Sequence, residues 1–245
     1  MECRSCGQDN PPGARFCGNC GAALVTAVQP FPVIGVGSAY GNGWRQLWKY
    51  FLELFLIAII GFVIGIPSGM GSWGQGAAAS FLSVIGTAYM ILIAWPIDYG
   101  VSFSYLKAAR GDSLEIKNMF EVFQNYWNAV LAALLVTVIV IIGLILLIVP
   151  GIIFACKLAF TPYLVVDRKM AVIEAVKGSW NMTRGHAWKV FLIILLAIPI
   201  SIAGLICLGV GFILSIIWIR MAFASLYHAV SLSGETSAQQ GVPAT

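Results

Sequence analysis

Between Trp127 and Val166 the chain carries one charged side chain, Lys157. A helix crosses the hydrocarbon of a bilayer in about 20 mostly apolar residues. This run is long enough to cross twice, with a turn expected at Pro150-Gly151. The next segment, Asp167 to Lys189, is dense in charge. An apolar hairpin followed by a charged surface segment is what a membrane-spanning chain requires. Composition agrees: 60% of the residues are hydrophobic and 10% charged, against roughly 25% charged in soluble domains. Such a chain lacks the polar surface to face water on all sides.

Six stretches are candidate spans, the fourth of them short. They are Trp48 to Ile66, ended by Pro67; Ala77 to Leu106, with a kink expected at Pro96; Trp127 to Val149; Gly151 to Val166, interrupted near Thr161-Pro162; Trp188 to Leu208; and Gly211 to Val230. The loops after the first, third and fifth contain no charged residue. The opposite side holds Arg45, Lys49, Lys107, Arg110, Lys117, Arg168, Lys169, Lys177, Arg184 and Lys189. Lys and Arg accumulate on the cytoplasmic side, so the expectation is a multi-pass protein of the inner membrane with both termini cytoplasmic. Trp44, Trp48, Trp127, Trp180 and Trp188 fall at that interface, where aromatic belts form.

The first 24 residues differ in kind. They hold four of the six cysteines, as Cys3-x2-Cys6 and Cys17-x2-Cys20, each pair followed by glycine (Gly7, Gly21). Four thiolates at this spacing suit one tetrahedral zinc ion and leave no position for a catalytic water. A disulfide pair would need an oxidising compartment, and no export signal precedes the segment. The MECRSCG…FCGNCG pattern resembles the short zinc ribbons at the N-termini of many bacterial and archaeal membrane proteins. That resemblance covers these residues alone and implies a cytoplasmic fold, not an activity. Arg4 and Arg15 are offset by Glu2 and Asp9, too little positive charge for nucleic acid. Docking of a protein partner, or stability, is the expected role.

The organisation expected is a ribbon (1–24), a linker (25–43), a membrane domain (44–230) and a disordered tail (231–245). Trp127 is followed by Gly143 and Pro150, and Trp188 at the same spacings by Gly204 and Gly211; Trp48, Gly65 and Pro67 form a shorter version. This reads as three parallel hairpin repeats. Two amphipathic segments lie between them. Ile116, Met119, Phe120, Phe123, Tyr126 and Trp127 make one apolar stripe, with Asp112 and Glu115 placed for a capping box. Val172, Ile173, Val176 and Trp180 make the other. Both suit helices resting in the cytoplasmic interface. The fold class is therefore an all-α integral membrane protein, six transmembrane helices in three hairpins with two interfacial helices, plus the zinc ribbon.

The stretch PGIIFACKLAFTPYLVVDRKMAVIEAVKGSW resembles a widespread group of prokaryotic membrane domains, related to the membrane domain of some glycerophosphodiester phosphodiesterases. The likeness runs from about Gly43 to Val230 and rests on Pro150, Gly151, Pro162, Asp167, Glu174, Ala175, Ser179 and Trp180. It implies a six-helix membrane bundle and no catalytic residue.

Four ionisable residues fall inside the spans: Glu53, Asp98, Lys157 and Arg220. Each costs roughly 2.5–3.5 kcal/mol at the bilayer centre unless paired or wet. Asp98 is expected against Arg220 or Lys157, and Glu53 against the remaining base or snorkelling to water. The layer has two readings. One is internal salt bridges that specify helix packing; the other is a polar cavity for an anion or lipid head group, extended by Ser102, Ser104, Tyr105, Thr161 and Tyr163. His186 and His228 have no companion at metal or triad spacing, and Cys156 and Cys207 sit in apolar runs. No nucleophile with an acid–base pair, no phosphate loop and no dinucleotide fingerprint is found, so an enzyme is not expected. A scaffold or assembly factor is the first functional expectation, and a small transporter, channel or lipid-binding protein the second. The partners expected are the lipid bilayer and a protein at the ribbon, with self-association left open.

Overall fold

Lipid offers backbone amides no partner, so a spanning segment must satisfy them internally. Long apolar runs accordingly fold as helices. The computed structural model describes residues 6–9, 17–20, 34–66, 77–206 and 210–239. Two compact units, Met1–Val33 and Ile34–Thr245, divide the chain. The second comprises α1 (Val36–Lys49), α2 (Phe51–Gly65), α3 (Ala77–Tyr89), a π-helical turn (Met90–Ala94), α4 (Trp95–Arg110), a 3₁₀ segment (Ile116–Asn125), α5 (Tyr126–Leu146), α6 (Ile148–Leu158), α7 (Thr161–Asp167), α8 (Val172–Met182), α9 (Ala187–Ile206) and α10 (Val210–Gln239). Among the described residues, five helices are long and apolar enough to span a membrane, or six if the bent α1–α2 pair counts as one span.

Helix α1 was not legible as a helix. The expected linker gives way at Val36, and its residues 25–33 lie outside the described residues. Glycines 37, 41 and 43 lower helix propensity, yet Ala39, Tyr40, Gly43 and Leu47 share one buried face. Tertiary contacts hold it there. Tyr40 Oη donates to the Ile193 carbonyl (3.0 Å), Trp218 Nε1 to the Tyr40 carbonyl (3.0 Å), and Asn42 Nδ2 to the Ala109 carbonyl and Ser225 Oγ. The chain then turns by 97° into α2. The first apolar crossing therefore starts at Phe51, and Trp48 belongs to the preceding amphipathic helix.

Three further expectations change. The second hairpin turns at Leu147, which is extended (φ −166°), while Pro150 and Gly151 lie in the first turn of α6. Proline is tolerated there because that turn's amides have no intrahelical acceptor. Glu115 itself starts the 3₁₀ segment with no side-chain cap, so the Asp112–Glu115 box does not form. Pro96 likewise sits in the first turn of α4, directly after the π-turn that takes up the irregularity. The expected tail continues as helix to Gln239, and residues 240–245 lie outside the described residues.

The repeated spacings acquire a physical meaning. A Cβ on Gly143 would stand 3.0 Å from Gly151 Cα, and one on Gly204 would stand 2.6 Å from the Gly211 carbonyl oxygen and overlap Ser215 Oγ. In both hairpins paired glycines let two helices touch backbone to backbone, as small residues do in membranes. A Cβ on Gly65 would meet no atom of the described residues within 4 Å. Each hairpin is preceded by an amphipathic element: α1, the 3₁₀ segment and α8. Gly204→Val should lower the stability of the purified protein by about 1–3 kcal/mol through overpacking, read by thermal unfolding in detergent; Gly65→Val should be near neutral.

Candidate functional site

In the N-terminal unit, Cys6, Cys17 and Cys20 present their sulfurs within 4.8 Å of one another. Cys6 Sγ and Cys17 Sγ are 3.5 Å apart, and Cys17 is buried. Zinc–sulfur bonds of about 2.3 Å in a tetrahedron set neighbouring sulfurs about 3.8 Å apart, so the donor set fits the ion. Gly7 takes φ +70°, the left-handed turn a Cβ would disfavour, and so curls the backbone behind Cys6. Cys3, the expected fourth ligand, lies outside the described residues. Zinc held by these thiolates would supply folding free energy to a unit of this size.

In the membrane unit, the four ionisable residues of the spans do not form one paired cluster among the described residues. Arg220 Nη1 donates to Asp98 Oδ1 at 2.7 Å, joining α10 to α4. Lys157 instead places Nζ 4.2 Å over the Trp180 ring, a cation–π contact that ties α6 to α8. Glu53 is half-buried and makes no ion pair with the described residues. Of the polar residues expected beside them, Ser102 and Ser104 bond back to the Asp98 and Gly100 carbonyls of their own helix. Thr161 Oγ1 is buried without a partner.

The Asp98–Arg220 pair borders a cavity of about 810 Å³ between α2, α4 and α10. Ile66 and Phe212 line its far end, Gly61 and Phe62 its flank, and Tyr105 lies beside the ion pair. From Ile57 to Ile66 the cavity follows about 14 Å of helix at 1.5 Å per residue. It thus occupies the half of the bundle nearer the uncharged loops, with the ion pair at its inner end. Asp98 and Trp95 also line a second cavity, of about 310 Å³, against α5 and α6. The Asp98 side chain is about half exposed (51%) and that of Arg220 37%. Volumes of 300–1,000 Å³, apolar walls and a few placed polar groups are the usual form of a ligand site. The π-turn at Met90–Ala94 immediately precedes this stretch of α4, and π-bulges frequently mark functional sites.

A polar column continues from the pair toward the charged end. Tyr163 stacks on Tyr227 (centroids 4.9 Å apart), Tyr227 Oη donates to Asp167 Oδ2 (3.3 Å), and Asp167 receives Arg110 on both oxygens at 2.7 Å. In the sequence Asp167 opens the charged segment and is among the residues that carry the resemblance, with no partner indicated. Opposite charges ending the second and fourth spans at one level were the available signal. Asp167→Asn should destabilise the domain by about 1.5–3 kcal/mol, as expected for hydrogen bonds to a charged group, without altering occupancy of the cavity; denaturation midpoints with and without ligand check this. At the same end Lys107 pairs with Glu121 at 2.8 Å, and a Cβ on Gly100 would overlap the Met119 carbonyl, so the 3₁₀ segment lies directly on α4.

The helices mark a multi-pass membrane protein, and the cysteine cluster adds a zinc-binding domain. Residues 3–24 match the family model of the zinc-ribbon domain. No solved structure matches the chain at a significant level.

Proposed function

We propose that this chain is a non-enzymatic protein of the inner membrane that holds an amphiphile between α2, α4 and α10, with a structural zinc ribbon as its cytoplasmic head. The observation that carries the reading is the 810 Å³ cavity bordered by one ion pair. Placing two charges beside apolar walls within a span is costly, and a ligand that uses both walls and charges gives that arrangement a purpose. The apolar runs support six crossings and the one-sided distribution of Lys and Arg supports cytoplasmic termini, a reading with which the resemblance to prokaryotic six-helix membrane domains agrees. A tag inserted after Leu147 should be reached by impermeant reagents only from outside the cell; labelling from the cytosol alone overturns the orientation.

Gly61→Phe tests the binding reading, because the cavity walls at Gly61 are open apart from Val101 at 3.5 Å. The filled variant should purify folded and lose the lipid that accompanies the native protein, as read by extraction and mass spectrometry. An unchanged lipid complement sinks the binding reading. The scaffold reading is favoured by a different observation: Arg110, Lys107 and Lys157 are all engaged in contacts that tie helices together. Deleting Met1 to Gly21 should abolish function under that reading while the bundle stays intact.

A further inference from the structure

We infer that the cavity takes a lipid with a zwitterionic head, its ammonium on Asp98, its phosphate on Arg220 and its chain along α2; this rests on the amphiphile-binding reading above. The inner end of the cavity is a dipole, not a charge. Arg220 Nη1 and Asp98 Oδ1 are 2.7 Å apart, so a purely anionic head drawn to the guanidinium meets the carboxylate beside it. A purely cationic head meets the reverse conflict. Each partner has capacity beyond a single contact, since a carboxylate offers two acceptor oxygens and a guanidinium five N–H donors. A head carrying both signs completes a ring of alternating charges, and no net charge enters the membrane. Next to the pair the walls turn apolar, through Ile57, Val101, Ile213 and Ile216 on to Phe62 and Phe212. That sequence of surfaces accepts a hydrocarbon chain and rejects a free, chainless zwitterion, which would leave these walls wet.

The full chain in neutral maltoside micelles is titrated separately with phosphatidylethanolamine, phosphatidylglycerol and diacylglycerol, and occupancy is read by native mass spectrometry. Phosphatidylethanolamine should bind about ten-fold or more tightly than either of the others, the scale of one or two charge-assisted hydrogen bonds. Either single charge deletion can misfold, so the informative variant is Asp98→Leu with Arg220→Met, an apolar replacement of the kind that leaves buried pairs neutral or more stable. It should reduce phosphatidylethanolamine to the diacylglycerol level. Phosphatidylglycerol binding as tightly as phosphatidylethanolamine, or the double variant keeping the preference, overturns the zwitterion assignment while lipid binding stands. Binding of all three lipids that Gly61→Phe leaves unchanged overturns the underlying reading as well.

Discussion

Cys17→Ser should bring the zinc content of the purified protein from one ion per chain to near zero, measured by elemental analysis. Cys17 is the buried member of the cluster, with its sulfur 3.5 Å from that of Cys6, and a serine hydroxyl at neutral pH supplies no anionic sulfur in its place. Structural zinc contributes about 10–16 kcal/mol of apparent binding free energy in small domains, far more than a core of some twenty residues can offer. Loss of one ligand therefore unfolds the ribbon rather than loosening it, and chelators should do the same to the native protein. The ribbon belongs to a unit separate from Ile34–Thr245, so thermal unfolding of the membrane domain should be unchanged. A shift of that transition by more than a few degrees would contradict the independence of the two units.

Arg220→Leu should destabilise the membrane domain by roughly 3 kcal/mol, the scale of an uncompensated charge within a span. Asp98 then loses the partner 2.7 Å away and must be protonated or drag water into the apolar cavity. Asp98→Arg combined with Arg220→Asp should recover most of that stability, because the pair is re-formed with its members exchanged between α4 and α10. Unfolding in mixed micelles as a function of denaturing detergent reads both. If the single and exchanged variants unfold alike, the pair contributes no packing energy, and Asp98 is already satisfied by water.

Much of the architecture was legible because it depends on composition along the chain. Apolar length decides which segments can cross, and the two CxxC pairs with their trailing glycines point to zinc through local geometry alone. The Gly143/Pro150 and Gly204/Gly211 spacings were visible as repeats, but only the fold showed that Gly143 meets Gly151, and Gly204 meets Gly211, backbone to backbone. Helix α1 was missed because its three glycines and weak apolar stripe read as linker, and its helicity depends on Tyr40, Asn42 and Trp218 bonding to distant elements. The disordered tail was misread for a related reason: α10 runs on past Val230, its first extra residue Ser231 still buried.

Taken alone, the order of residues determined that this chain belongs in lipid, that its charges gather at one end, and that a metal-binding head precedes the spans. Those properties are sums over neighbouring residues. Which of the two bases faces Asp98 could not be read that way. Arg220 and Lys157 were both candidate partners of Asp98, and Arg220 takes that place because helix rotation and the α4–α10 contact set side-chain direction. Lys157 turns to Trp180, and a cavity opens beside the pair. Distances across a bundle depend on how helices pack, and only the tertiary structure decides that.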